Sequence, residues 1–270
     1  ATTLAMNRKS RQYLINQSLE LGKFDAHVWR VLLPSMQPAV KDLQRVLTDE
    51  ETKFQRKLKN QKQATQYILR KAIIKLLLSK YSKLAPDKVK ISVTSFGKPS
   101  LMLSESMPKL EYNVSHSGDW LLLVFSIAHS VGVDVEILKN DFPAIDIATR
   151  FFTYGESRAL MECREPQRVQ SFFKVWVRKE AYLKALGKGL HEPLNSFEVP
   201  MESLQLSGMK EGAEHEFIGD IEGKWFFYDL PIDIQHVGCF VSEFRPHNIK
   251  VFDLLFPEQL NILYRTSLGL

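Results

Sequence analysis

Residues 131–136 read VGVDVE, with Asp134 and Glu136 two positions apart in a short apolar run. Alternate side chains of a β-strand share a face, so both carboxylates point one way while Val133 and Val135 point into the core. Two like charges on one face repel unless a cation lies between them, and a divalent metal ion is the simplest one. Gly132, without a side chain, lets a ligand or a backbone come close. Half-exposed edge strands also carry such acidic pairs, so the pattern needs partners elsewhere in the chain. Three other stretches offer them. Lys98 sits at the apex of a turn forced by Gly97 and Pro99 in FGKPSL. Ser115, His116 and Ser117, followed by Gly118 and Asp119, read as a tight loop between two strands, where hydroxyls and backbone amides can meet a phosphate oxygen. Glu180 and Lys184 are four apart and share one face of a helix expected over SFFKVWVRKEAYLKALGKGL; a purely structural ion pair is the competing reading.

The elements that must position these residues alternate along the chain. HVWRVLLP reads as a strand closed by Pro34, followed by a helix from about Pro38 to Leu47 and the acidic cluster Asp49, Glu50, Glu51. From Lys53 to Lys83 there is no acidic residue against ten Lys and Arg. Leu69, Ile73, Leu76 and Leu77 form one buried helical stripe there. Around it Arg56, Lys59, Lys62, Arg70, Lys71 and Lys75 are either a solvated face or a surface for phosphate or an acidic protein; ordinary exposed helices mix signs, which favours the second. KVKISVT and the run Trp120 to Ala128 read as strands. A helix starts near Thr153 with Glu156 placed as in a capping box. The helix bearing Glu180 has Phe173, Trp176 and Leu183 as its apolar stripe and ends at Gly187 and Gly189. PLNSFEVP, KWFFYDLPI and HVGCFVSEF alternate like antiparallel strands. The pattern predicts an α+β fold in two halves, 1–128 and 129–245, with 246–270 an appended segment of no assigned role.

Composition narrows the class of protein. The chain has 270 residues, 44% hydrophobic and 25% charged, with a formal net charge of +5, which suits an anionic partner. No apolar run approaches the roughly 20 residues of a membrane-spanning helix. The first residues lack the apolar core of a signal peptide. Cys163 and Cys239 alone make neither a disulfide framework nor a cysteine metal cluster. The expectation is a cytoplasmic protein that engages no membrane, and the basic excess does not say which anionic partner it takes.

GKPSL (97–101), YNVSHS (112–117), VGVDVE (131–136) and WVRKEAYLK (176–184) follow in order. Together they resemble the 4'-phosphopantetheinyl transferases of the surfactin-synthetase-activating type, whose pattern is G-[KR]-P, N-x-S-H-S, G-[IV]-D-[IV]-E and W-x-x-K-E-[AS]-x-x-K. Every defining position is present. The motifs span 96–190, and the wider resemblance runs from about 25 to 245. The resemblance implies two similar pseudo-symmetric lobes with coenzyme A in the cleft between them, and transfer of its phosphopantetheine arm to a serine of an apo acyl-, aryl- or peptidyl-carrier protein, with release of 3',5'-ADP. It implies Mg²⁺ held by Asp134, Glu136 and Glu180. Glu180 is then also the base for the serine proton, directly or through water, and Lys184 neutralises the pyrophosphate, with Asp134 completing the catalytic set. It implies that Ser115 and His116 contact phosphate oxygens, that Lys98 anchors the nucleotide, and that Lys62 or Arg70 holds the 3'-phosphate. Carrier proteins are typically acidic, so Arg56, Lys57 and Lys59 are candidates for steering them; the resemblance further implies a monomer, since two lobes complete the site within one chain, and no nucleic-acid partner.

Two other classes compete. Metal-dependent nucleases also pair strand acids with a lysine, but Glu136 is followed by Ile137-Leu138-Lys139 rather than by the one-residue spacing of that pattern. The nuclease reading also leaves GKPSL and the Ser-His-Ser stretch unexplained. A basic binding module without catalysis would predict a damaged acidic triad, and the triad is intact by residue type.

Overall fold

The computed structural model describes residues 19–260, apart from 96, 105–107, 166, 188–191, 202–212 and 217–223. Its fold is mixed α+β. One sheet has the order β10-β1-β5-β4, built from β1 (Asp25–Leu32), β4 (Leu110–Ser117), β5 (Trp120–Ile127) and β10 (Asn248–Leu254). A second has the order β6-β9-β8-β7, from β6 (Val131–Ile137), β7 (Ala213–Glu216), β8 (Lys224–Asp233) and β9 (His236–Ser242). A small hairpin of β2 (Ile91–Val93) and β3 (Pro99–Leu101) stands apart, with Lys98 in its turn. The helices are α1 (Val40–Leu43), α2 (Asp49–Lys57), α3 (Gln61–Ser82), α4 (Ala144–Phe151), α5 (Tyr154–Glu162) and α6 (Gln167–Leu186).

Each sheet buries one face under a long helix and the other face against the opposite sheet. The stripe Leu69, Ile73, Leu76, Leu77 of α3 packs on Trp29, Leu121, Leu123 and Phe125. The other face of β5, Leu122 and Val124, meets Val131, Val133 and Val135 of β6 together with Phe226, Tyr228 and Phe240. This is why Trp120 to Val124 reads as an unbroken apolar run: both faces of β5 are covered. Helix α6 lies over the second sheet, burying Ala181, Tyr182 and Ala185 against Trp225, Phe227, Cys239 and Val241.

The structure redraws several expected elements. Residues 33–46 are helical, but mostly as two 3₁₀ stretches around the single turn of α1; Pro38 lies inside the first of them. The acidic cluster is the first turn of α2, whose capping box joins Thr48 and Glu51. Glu51 also takes a hydrogen bond from Lys75 at 2.5 Å, so Lys75 is a buried, paired residue of α3 and not part of a basic surface. The stretch Pro193–Pro200 contains a 3₁₀ turn (Leu194–Ser196) where a strand was expected. Within the segment expected as an appendage, β10 pairs in parallel with β1 from Asp25↔Asn248 to Val31↔Leu254, and the bidentate Arg30–Asp253 pair reinforces it; residues 261–270 lie outside the described residues. The expected stop at Gly189 lies outside the described residues, while Gly187, at φ +69, does end α6. No helix among the described residues is long and apolar enough to cross a membrane.

Gly132 sets the depth at which α6 sits. A Cβ there would lie 1.9 Å from the carbonyl oxygen of Ala181 and 2.7 Å from the amide nitrogen of Ala185, both backbone atoms that cannot swing aside. The missing side chain admits the helix backbone itself. Gly132→Ala should therefore destabilise the protein by about 3 kcal/mol or more, beyond ordinary overpacking. A urea melt checks this, and an unchanged midpoint would show that α6 shifts without cost.

Candidate active site

Strand β6 alternates as its sequence predicts. Val131, Val133 and Val135 enter the core between the sheets, while Asp134 and Glu136 turn toward α6. They face Glu180 and Lys184, one helical turn apart. These four, with Val114, Ser115, His116 and Trp176, line a cavity of about 340 Å³.

Ser115, His116 and Ser117 belong to β4, not to a loop. The hairpin turn is only Gly118-Asp119, with Gly118 at φ +56, and Ser117 pairs with Trp120 across it. Strand alternation then gives the motif two jobs. Asn113, Ser115 and Ser117 point at β6: Asn113 Oδ1 accepts from the Val133 amide at 3.1 Å, and Ser117 Oγ accepts from the Ile137 amide at 3.1 Å. Ser115 Oγ donates to Asp134 Oδ1 at 2.7 Å, and Ser117 Oγ to Glu136 Oε2 at 2.9 Å. His116 points the other way, where Arg70 Nη1 on α3 donates toward its ring, 3.2 Å from Nδ1. Ser115 is thus engaged with the acidic residues and is not turned outward beside His116.

Lys184 Nζ donates to Asp134 Oδ1 at 2.5 Å and to Ser115 Oγ at 3.0 Å. Asp134 Oδ2 is buried with no hydrogen-bond partner. Burial raises the pKa of Asp134 despite the Lys184 ammonium. Burial also raises Glu136, and the neighbouring Asp134 adds to it. Glu180 is raised by burial first and then by the charges of Asp134 and Glu136, with Lys184 opposing. The site holds more negative charge than its single ammonium balances. Among the described residues no group of three His, Cys, Asp or Glu side chains is arranged to hold a metal ion; Asp134 Oδ1 instead faces Lys184 and Ser115, and Glu136 Oε2 faces Ser117. His116 is lowered by the partial covering of its ring and by Arg70 and Lys184, which keeps it neutral and able to accept from Arg70.

The other expected residues lie apart from the cavity wall. Lys98 Nζ donates to the carbonyl of Ala185 at 3.0 Å, in the last turn of α6, and lies 3.5 Å from Glu111. Its stem crosses Gly187, where a Cβ would come within 3.0 Å of Lys98 Cδ. A cation at a helix C-terminus is favoured by the helix dipole. Lys62 is exposed in the first turn of α3, eight residues before Arg70, or about 12 Å along the helix.

Asn113, Ser117 and Lys179 are motif residues to which the sequence assigns no individual role. Lys179, beside Glu180, is fully buried; its Nζ is 2.8 Å from Glu156 Oε2 and donates to the carbonyls of Leu194 and Phe197. Glu156 in turn accepts from the amides of Thr153 and Val199. Arg178 forks onto Asp229 of β8. These two anchors fix the rotation of α6, and with it where Glu180 points. Two adjacent basic residues directly after the apolar-rich run Val175-Trp176-Val177 are the sequence signal for them.

The superfamily profile described as "4'-phosphopantetheinyl transferase superfamily" matches residues 130–222, which contain Asp134, Glu136, Glu180 and Lys184. The profile "4'-phosphopantetheinyl transferase, N-terminal" matches 31–128, which contain Arg70, Lys98, Ser115 and His116. The chain belongs to the 4'-phosphopantetheinyl transferase superfamily. Among its relatives in the superfamily is the 4'-phosphopantetheinyl transferase HetI of Nostoc sp., 29% identical over 64% of this chain and 73% of that protein. The 4'-phosphopantetheinyl transferase Sfp of Bacillus subtilis is 28% identical over 57% of this chain and 66% of its own length. The L-aminoadipate-semialdehyde dehydrogenase-phosphopantetheinyl transferase of Xenopus laevis is 30% identical over 56% of this chain and 53% of its own. Membership makes the chain an enzyme of the phosphopantetheinyl transferase class.

The crowding of like charge has a cost in stability. An acid whose folded pKa is raised binds its proton more tightly in the folded state, so the stability it contributes is present at low pH and lost as pH rises through the raised value. Glu180→Gln should therefore raise the thermal midpoint at neutral pH, with the gain vanishing below the ordinary carboxylate range. Scanning calorimetry across pH checks it, and a gain that persists at low pH would place the cause elsewhere.

Proposed function

We propose that this protein transfers the 4'-phosphopantetheine arm of coenzyme A to a serine hydroxyl of an apo carrier protein and releases 3',5'-ADP. The observation that carries the proposal is convergence. Six residues from three separate motifs, Ser115, His116, Asp134, Glu136, Glu180 and Lys184, line one cavity, with Arg70 bonded to its rim at His116. The two sheet-and-helix units, joined face to face through β4 and β6, support a two-lobed arrangement with the substrate between them.

The acidic residues are not drawn together as a ready-made metal set, but their chemistry fits a hard divalent cation: an all-oxygen donor set, a buried Asp134 oxygen without a partner, and an excess of negative charge. Asp134, Glu136 and Glu180 would hold Mg²⁺, which when bound offsets the charge that builds on the pyrophosphate as it breaks. The chain's own groups act beside it. Lys184 supplies an ammonium to phosphoryl oxygens. Arg70 and neutral His116 offer hydrogen-bond donors to the 3'-phosphate, and Lys62 lies farther along the same helix. Glu180 accepts the serine proton, directly or through a water molecule. Ser115 orients Asp134 and Lys184. Trp176, half-buried in the wall, keeps part of the cavity apolar. Arg56 and Lys57 in the last turn of α2, with Lys59 just beyond it, are the basic face offered to an acidic carrier.

Incubation with coenzyme A, Mg²⁺ and a panel of apo carriers should add one phosphopantetheine arm to at least one carrier, read by mass spectrometry. Asp134→Ala and Glu180→Ala should each nearly abolish that gain while leaving the circular dichroism unchanged. Retention of most activity by Asp134→Ala across a Mg²⁺ titration would sink the metal assignment. The position of Lys98 supports a second expectation. Lys98→Met should lower kcat with little change in KM for coenzyme A, because the side chain holds the end of α6; a raised KM with kcat intact would return Lys98 to the nucleotide.

A further inference from the structure

The chain crosses between the two sheets twice, at residues 128–130 and at 243–247, and both crossings lie at the same end of the paired strands. There the Glu243 amide donates to the Ser130 carbonyl at 3.1 Å, and the Ser130 amide donates to Glu243 Oε1 at 2.8 Å. Among the described residues the opposite end has no chain crossing. It is where Ser117 meets Glu136 and where the cavity's outer carboxylate is held.

At that end the β8–β9 turn grips the β4–β5 turn. Trp120 Nε1 donates to Asp233 Oδ2 at 2.8 Å, and Trp120 is buried. The other Asp233 oxygen lies 2.8 Å from His236 Nδ1 and accepts from the Gln235 amide at 2.8 Å, so the carboxylate is fully oriented. His236, also buried, packs on Gly118: a Cβ at Gly118 would come within 2.8 Å of its Nε2, which has no hydrogen-bond partner. Two residues of one turn thus hold two residues of the other.

The neighbours of the clasp are site residues. Gly118 follows Ser117, whose hydroxyl donates to Glu136, and His236 is the cross-strand partner of Ile137, whose amide donates to the same hydroxyl. Both sides of the Ser117–Glu136 contact therefore abut the clasp. Arg70 and Lys184 stand on α3 and α6, outside it.

We propose that Asp233 is a positioning residue: through Trp120 and His236 it closes the free end of the seam between the sheets and fixes Glu136 at the cavity. The inference rests on the transferase reading for its kinetic consequence but not for its structural one. Small displacements of reacting groups cost catalysis far more than binding, about a hundredfold for 1 Å. Asp233→Ala and Trp120→Phe, made in the full chain, should each lower kcat about tenfold or more with KM for coenzyme A within about twofold. The double variant should be no worse than Asp233→Ala alone, because Trp120→Phe deletes one of the interactions that Asp233→Ala removes. Asp233→Asn, which keeps an oxygen acceptor for Trp120 but loses the one shared by His236 and the Gln235 amide, should restore part of kcat. Hydrogen exchange of the unliganded protein should show faster exchange at residues 117–120 in the first two variants and not in the Asn variant, with α3 unchanged. Additive losses, an unchanged kcat, or a raised KM with kcat intact would overturn the proposal. Should Asp233→Ala not fold, Trp120→Phe removes the same hydrogen bond and carries the test. If the wild-type protein modifies no carrier, the transferase reading fails, and the exchange data still decide whether the clasp holds the two turns together.

Discussion

Strand β6 is the edge of its sheet, and its amides at Val133 and Ile137 point away from β9 into the seam beside β4. Buried amides without acceptors would cost on the order of 1–3 kcal/mol each. Here side chains of β4 supply the acceptors, Asn113 for the first and Ser117 for the second. The two sheets are thus not one continuous ladder but two, laced along this edge by the side chains of β4. Everything at the site follows from that lacing. The hydroxyls that close the edge also hold Asp134 and Glu136, and the face of β4 left over presents His116 to Arg70.

The acidic residues are retained at a price in stability, and the surrounding structure meets it with rigid supports. Gly132 lets α6 approach until Lys184 reaches Asp134, while Lys179 and Arg178 fix the helix from its far side. Buried ion pairs are weak sources of net stability but strong sources of orientation, since removing one partner strands the other. Glu180 is the residue that benefits. It is held among like charges by a helix that cannot rotate.

Much of this was legible in the sequence where the signal is local and periodic. The alternation of VGVDVE gave the two faces of β6, the stripe of α3 gave its buried side, and Gly187 gave the end of α6. The failures share a cause, which is that a residue's partner lies far along the chain. Ser-His-Ser before Gly-Asp looks like a loop because three polar residues beside a turn usually are one; only the β6 edge explains polar side chains on a strand. Asp49, Glu50 and Glu51 look like an isolated charge cluster until Thr48 is seen as their cap. Lys75 belongs by sequence to a basic surface, and its partner Glu51 is 24 residues earlier. Lys98 reads as a free lysine in a turn and is spent on the end of a helix 87 residues away.

The parallel pairing of β1 with β10 has a bearing on how the chain folds. Arg30 and Asp253 are 223 residues apart, yet they flank the same pair of strands. While the chain is being made, β1 can find β5 but must keep its other edge open until residue 254 has left the ribosome. An open strand edge beside an apolar face is a site for pairing with other chains, and such long-range closure is slow. Chains stalled or cut before β10 would carry every residue of the cavity and still expose a template for aggregation, so the intactness of the catalytic motifs is no guide to whether a truncated product stays soluble.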